Sequence, residues 1–212
     1  MANSIKFNSH TAVIGGKILD EAQKALIMIH GRGGNATDIV SLADHLQVAD
    51  YALLAPQAPD NSWYPFSFMA KASYNEPWLS SSLQIVKDLV EEIKCRSIAA
   101  ENIYLLGFSQ GACLTLEFAA RNAMRYGGII AFTGGLIGDK IYSENYKGDF
   151  NKTPIFIGSS NPDPHVPAER VIESAAILQN MNANVTEKLY NGMGHTISKE
   201  EIDLANQLIF PS

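Results

Sequence analysis

The chain has 212 residues, 46% hydrophobic and 18% charged, enough for one folded domain (residues 1–212) with a sizeable core and unlike a disordered polymer. Its net charge is −6 and no Lys/Arg-rich block occurs, which argues against a nucleic-acid surface. No apolar run approaches the roughly 20 residues that cross a bilayer, and no basic segment followed by an apolar core opens the sequence; a cytoplasmic protein is expected.

In chain order, residues 25–29 (ALIMI) predict a buried strand, because a parallel strand covered on both faces is continuously apolar. A helix is predicted over 37–47, with Ile39, Leu42 and Leu46 on one face, then a strand over 51–55, stopped by Pro56. Residues 56–77 are irregular and rich in Pro, Asn and aromatics. Over 78–94, Leu79, Leu83, Val86, Val90 and Ile93 recur at helical spacing and form a core-facing stripe. Strands at 102–106, 128–132, 154–158 and 184–190 then alternate with helices at 110–123, 167–181 and 198–209, with a long loop over 133–153. The alternation predicts an α/β fold, with a mainly parallel central sheet and helices on both faces. Ligands of such sheets bind beyond the carboxyl ends of the strands, so the loops there are where chemistry is expected.

One of these loops reads Gly107-Phe-Ser-Gln-Gly111, between a strand and a helix. A very sharp strand-to-helix turn leaves no room for side chains two residues either side of its apex, so glycine is favoured at 107 and 111. The apex, Ser109, is the candidate nucleophile. A plain helix cap would not need both glycines.

A serine hydroxyl needs a base, and histidine suits neutral pH. Of the five histidines, His10 precedes the first predicted strand, His45 lies within a helix, and His30 reads as a structural residue ending a strand. His165 follows strand 154–158. His195, in Asn191-Gly-Met-Gly-His195, follows the final strand, and its glycines let the backbone enter a crowded centre. His195 also fits the order nucleophile, acid, histidine. The acid should follow the strand between the two. Asp163 is the acid of Asn161-Pro-Asp-Pro164, stiffened by proline on both sides, and Asp139, Glu144 and Asp149 are rivals in the preceding loop. For the oxyanion, the loop His30-Gly-Arg-Gly-Gly34 and the residue after the nucleophile point to the backbone amides of Arg32 and Gln110.

Two other classes compete. Gly31, Gly33 and Ala36 also fit G-x-G-x-x-A between a strand and a helix, the fingerprint of an NAD(P)-binding oxidoreductase. Such a site wants an acid at the end of the next strand, where Ala55-Pro-Gln57 stands; Asp50 has the right separation but precedes that strand. A non-catalytic binding protein on the same scaffold is the other, and it leaves the set Ser109, Asp163, His195 without a purpose.

The segments HGRGGN (30–35), GFSQGA (107–112), DPHVP (163–167) and GMGHTIS (192–198) resemble the phospholipase/carboxylesterase family, which includes bacterial carboxylesterases and acyl-protein thioesterases. The resemblance runs from residue 25 to 209. It implies an α/β-hydrolase with little or no lid, acting on carboxylic esters, thioesters or lysophospholipids. Two departures are Arg32, where many members carry an apolar residue, and Asn161-Pro162 before the acid.

On this reading Ser109 forms an acyl-enzyme that water, activated by His195, hydrolyses, with no cofactor and no metal. No HExxH and no Cys/His cluster with metal spacing occurs, and Cys95 and Cys113 read as reduced thiols. Activity should fall toward acid pH as the histidine base takes a proton. Trp63 and Phe66 in the aromatic segment, with Leu136 and Met193, are the candidate pocket walls; the bland reading is that such aromatics cover the core edge. The Arg32 guanidinium either favours substrates bearing a negative group or pairs outward with a surface carboxylate. The substrate is a small ester or acyl compound. Composition leaves the oligomeric state open, a homodimer included.

Overall fold

The predicted strands meet in one sheet, and the predicted helices cover both of its faces. The computed structural model describes residues 4–7 and 10–210. Its strands are β1 (Ser4–Phe7), β2 (His10–Gly16), β3 (Lys24–Ile29), β4 (Tyr51–Pro56), β5 (Ile103–Phe108), β6 (Gly128–Phe132), β7 (Pro154–Asn161) and β8 (Asn184–Asn191). They pair in the order β1-β2-β4-β3-β5-β6-β7-β8. β4, β3, β5, β6, β7 and β8 run parallel, whereas β1 and β2 pair antiparallel to each other, and β2 antiparallel to β4.

The continuous apolar runs follow from cover on both faces. Along β3, Ala25, Ile27 and Ile29 face one core while Leu26 and Met28 face the other. The same alternation sends Ile103 and Leu105 of β5 one way and Tyr104 and Leu106 the other. Helices α2 (Trp78–Cys95), α3 (Gln110–Arg121) and α4 (Ala168–Asn180) cover the first face; α1 (Ala36–Ser41) and α5 (Lys199–Ile209) cover the second. All five predicted stripe residues of α2 are buried, at about 1.5–3 kcal/mol for each large aliphatic side chain, far more than helix propensity supplies. Helix α3 is buried on nearly every side from Gln110 to Ala120, which explains its apolar, small-residue sequence.

Two expectations need correction. Residues 10–16 are a strand of the sheet, not a segment before it; HTAVIGG has no strong apolar alternation because β2 lies near the sheet's edge. His10 therefore belongs to β2, and its side chain lies outside the described part of the molecule. The helix expected over 37–47 is α1 followed by a 3-10 turn, Leu42–His45. Among the described residues no helix is long and apolar enough to cross a membrane.

Candidate active site

The carboxyl ends of β3, β5, β7 and β8 each feed a loop carrying a candidate residue. At the end of β5 the chain turns at Ser109 with φ 54° and ψ −118°, a backbone state that costs of order 1–3 kcal/mol and needs over-determined surroundings. Those surroundings are the flanking glycines. A Cβ at Gly107 would lie 2.3 Å from the Gly111 carbonyl oxygen, and one at Gly111 would lie 2.1 Å from that of Ile29. The glycines thus let the turn close on itself and let α3 pack against β3.

The other two side chains reach Ser109 from later loops. His195 Nε2 is 2.8 Å from Ser109 Oγ. His195 Nδ1 is 2.9 Å from Asp163 Oδ2 and 3.2 Å from Oδ1. The Asp163 side chain is fully buried, which would raise its pKa; hydrogen bonds from the His165 amide, from His195 and from the Val166 amide outweigh burial and hold it below the usual carboxylate range. The histidine loop is tied to the acid loop: Gly194 N donates to Ser160 Oγ (2.9 Å) and Gly192 N to Asn161 O (3.2 Å). The imidazole of His195 packs against Phe108 (centroids 5.4 Å apart) and His165 (4.8 Å). A hydroxyl, an imidazole and an ionised carboxyl in one hydrogen-bonded line can pass a proton from the serine to the ring and stabilise the resulting imidazolium.

The three rival acids lie elsewhere. Asp139 binds the Tyr142 hydroxyl, Asp149 binds Asn182 and the Asn151 amide, and Glu144 is exposed in a 3-10 turn of the same loop. His30 is buried, with Nδ1 2.8 Å from its neighbour's carbonyl and Nε2 accepting from the Ala58 amide. Burial pulls its pKa below the ordinary value. His45 closes the 3-10 turn after α1.

Ser109 opens into a cavity of about 660 Å³, within the ordinary range for small-molecule sites. Tyr64–Phe68 form one wall, Pro164–Val166 another, and Arg32, Gln110, Cys113 and His195 complete it. Phe66 is on this wall and more than half exposed. The other three expected wall residues are not. Trp63 is buried, its indole N–H donated to the His30 carbonyl, because it plugs the core beneath the loop. Leu136 is buried against α4, its amide bonded to Ser174. Met193 is half-buried off the cavity lining, in the turn before His195. Cys113, His165 and Val166 are wall residues that sequence reasoning missed. Cys113 was findable, since it lies one helical turn after Ser109. Burial pushes its thiol up to about 12, so it meets the cavity as a neutral group.

Among the described residues the Arg32 side chain does not make the outward carboxylate pair expected of it as the alternative to favouring a negative substrate group. It donates instead to Ser62 Oγ and to the carbonyls of Tyr64, Pro65 and Phe66. No hydrogen bond from the Arg32 or Gln110 main-chain amide to a protein acceptor is present among the described residues. The dinucleotide reading finds no support: α1 has six residues, Asn35 caps it through the Asp38 amide, and Gln57 accepts from the Ala36 amide. The amides of Ala36 and Asp38 at the start of this helix, two of the donors a pyrophosphate would use, are occupied.

A family model described as Phospholipase/Carboxylesterase matches residues 8–210. The chain belongs to the phospholipase/carboxylesterase family. Its structure is similar to the crystal structure of a phospholipase/carboxylesterase from Dyadobacter fermentans DSM 18053, at 53% identity and a TM-score of 0.95 over 99% of this chain and 100% of that one. Acyl-protein thioesterase 1 of Saccharomyces cerevisiae is 30% identical over 213 residues, covering 89% of this chain and 92% of that protein. A probable carboxylesterase SOBER1-like of Arabidopsis thaliana is 28% identical over 198 residues, covering 85% of this chain and 76% of that one. The fold is that of the α/β-hydrolases, and this member of the phospholipase/carboxylesterase family is an ester or thioester hydrolase of carboxylesterase type.

Proposed function

We propose that the chain hydrolyses small carboxylic esters through an acyl-enzyme on Ser109. The observation that carries this reading is the unbroken line Asp163–His195–Ser109, with contacts of 2.9 and 2.8 Å, at the floor of an open cavity. Ser109 Oγ attacks the substrate carbonyl carbon and its proton passes to His195 Nε2. The amides of Arg32 and Gln110 hold the negative oxygen of the tetrahedral species. That species collapses, the C–O bond to the leaving group breaks, and the proton on His195 goes to the departing alcohol. Water then attacks the acyl carbon, giving its proton to His195. Collapse frees the carboxylic acid and returns the proton to Ser109. Asp163 keeps the imidazole in the tautomer that accepts from the serine. A thioester differs only in its leaving sulfur, and the thioesterase relative supports extending the activity to that class. The free thiols of Cys95 and Cys113 fit the reducing cytoplasm we propose as its location.

The test is labelling with a fluorophosphonate probe, followed by a series of p-nitrophenyl esters from acetate to octanoate. The parent should be labelled and active, and Ser109→Ala should keep its circular dichroism spectrum while losing label and turnover. Persistent labelling or turnover in Ser109→Ala would refute the assignment.

A further inference from the structure

Segment 62–66 leads into the cavity wall, which it joins at Tyr64–Phe66, without regular secondary structure, so its carbonyls must find partners outside a helix or ladder. Two residues supply most of them. Arg32 Nη1 donates to Ser62 Oγ and Pro65 O, both at 3.0 Å. Its Nη2 donates to Tyr64 O and Phe66 O, both at 2.8 Å. Gln110 Nε2 donates to Tyr64 O at 2.8 Å, and Gln110 Oε1 accepts from Trp63 N at 3.0 Å. Between the same two loops, Gly33 N donates to Asn61 O at 2.8 Å. Arg32 and Gln110 are also the two residues whose main-chain amides are proposed to hold the oxyanion.

We infer that Arg32 and Gln110 are positioning residues whose side chains clamp the wall strap 62–66 onto the oxyanion loop, so that one pair of residues sets both the shape of the acyl pocket and the seat of the oxyanion. The inference rests on the acyl-enzyme reading for its catalytic consequence, and on geometry alone for the clamp. A planar guanidinium is well shaped for such a clamp, because its fork reaches several carbonyls at fixed spacing, which a lysine ammonium on a flexible stem does not. The clamp also explains the departure at position 32, because an apolar residue there could not hold these carbonyls. With its terminal nitrogens spent on the protein, the guanidinium shapes the pocket rather than reading substrate charge. Arg32 is exposed, so each bond adds little to global stability. Its effect belongs to pocket geometry, where displacements near 1 Å are costly.

The test uses Arg32→Leu and Arg32→Lys, which keep the main-chain amide. Amide hydrogen exchange over residues 62–68 is read first, with no substrate present. In both variants these amides should exchange about tenfold faster or more, with the rest of the protein unchanged. The octanoate-to-acetate ratio of kcat/KM should shift by about tenfold, mostly through KM, and lysine should not restore it. Exchange unchanged from the parent overturns the clamp. So does faster exchange with an unaltered chain-length profile, or a loss confined to an anionic ester such as a p-nitrophenyl hemisuccinate. If Arg32→Leu does not fold, Arg32→Lys alone decides by the same readings. A parent inactive on every ester would sink the acyl-enzyme reading, while the exchange experiment would still judge the clamp.

Discussion

Asp163 shows how a buried charge is kept. Three hydrogen bonds pull its pKa down against burial, so the folded protein binds this proton less readily than the unfolded chain. The contribution to stability is therefore present above the ordinary carboxylate range and is lost as pH falls through the depressed value. Asp163→Asn should flatten this part of the acid-unfolding curve, followed by circular dichroism. On the acyl-enzyme reading it should also lower kcat by about 10³–10⁴-fold, because an amide stabilises neither the right tautomer nor the imidazolium. A kcat within about tenfold of the parent would remove Asp163 from the mechanism.

At the scale of elements, the histidine loop is held from its far end by α5. Ser198 caps that helix, accepting from the Glu201 amide, while Glu201 Oε2 accepts from Ser198 N at 2.8 Å. The carboxyl is fully buried against Gly158, where a Cβ would lie 2.5 Å from Glu201 Oε1, and Oε1 itself has no partner among the described residues. Burial raises the Glu201 pKa. A raised acid pKa means that the folded state holds the proton more tightly, so stability declines as pH climbs from the ordinary carboxylate range through the raised value. Glu201→Gln keeps an acceptor for Ser198 and removes the charge. It should raise Tm at pH 8 relative to the parent, with the gain vanishing near pH 4; an equal gain at both values would mean that the buried charge is not the cause.

Across the whole molecule, a buried carboxylate of α3 helps hold the long segment between β6 and β7, alongside the Lys147 amide's bond to the Ala120 carbonyl and the Leu136 amide's bond to Ser174. Glu117, buried in α3, accepts from the Ile137 amide and the Tyr146 hydroxyl, both at 3.0 Å, and pairs with Arg121 at 2.7 Å. Removing it strands a cation and two donors, so Glu117→Ala should lower stability by roughly 3–5 kcal/mol in urea unfolding. A change below about 1 kcal/mol would mean that the segment's remaining bonds hold it without Glu117.

Much of this was legible without coordinates. The apolar runs marked β3 to β7 because a parallel strand covered on both faces writes its burial as continuous hydrophobicity. The spacing at Leu79, Leu83, Val86, Val90 and Ile93 marked α2, and the glycines of Gly107-Phe-Ser-Gln-Gly111 marked a turn too tight for side chains. The antiparallel pair β1–β2 was hidden, since residues 10–16 carry little of the alternation that marks a strand. Which aromatics line the cavity was equally hidden. Trp63 and Phe66 look alike in the sequence, yet the indole is buried on the His30 carbonyl and the phenyl ring stands in the opening. Local composition carries the period of a helix or strand because that signal repeats every few residues. The direction of a single loop side chain, and the carbonyls that Arg32 holds more than 30 positions away, are decided by contacts that exist only once the strand ends have met.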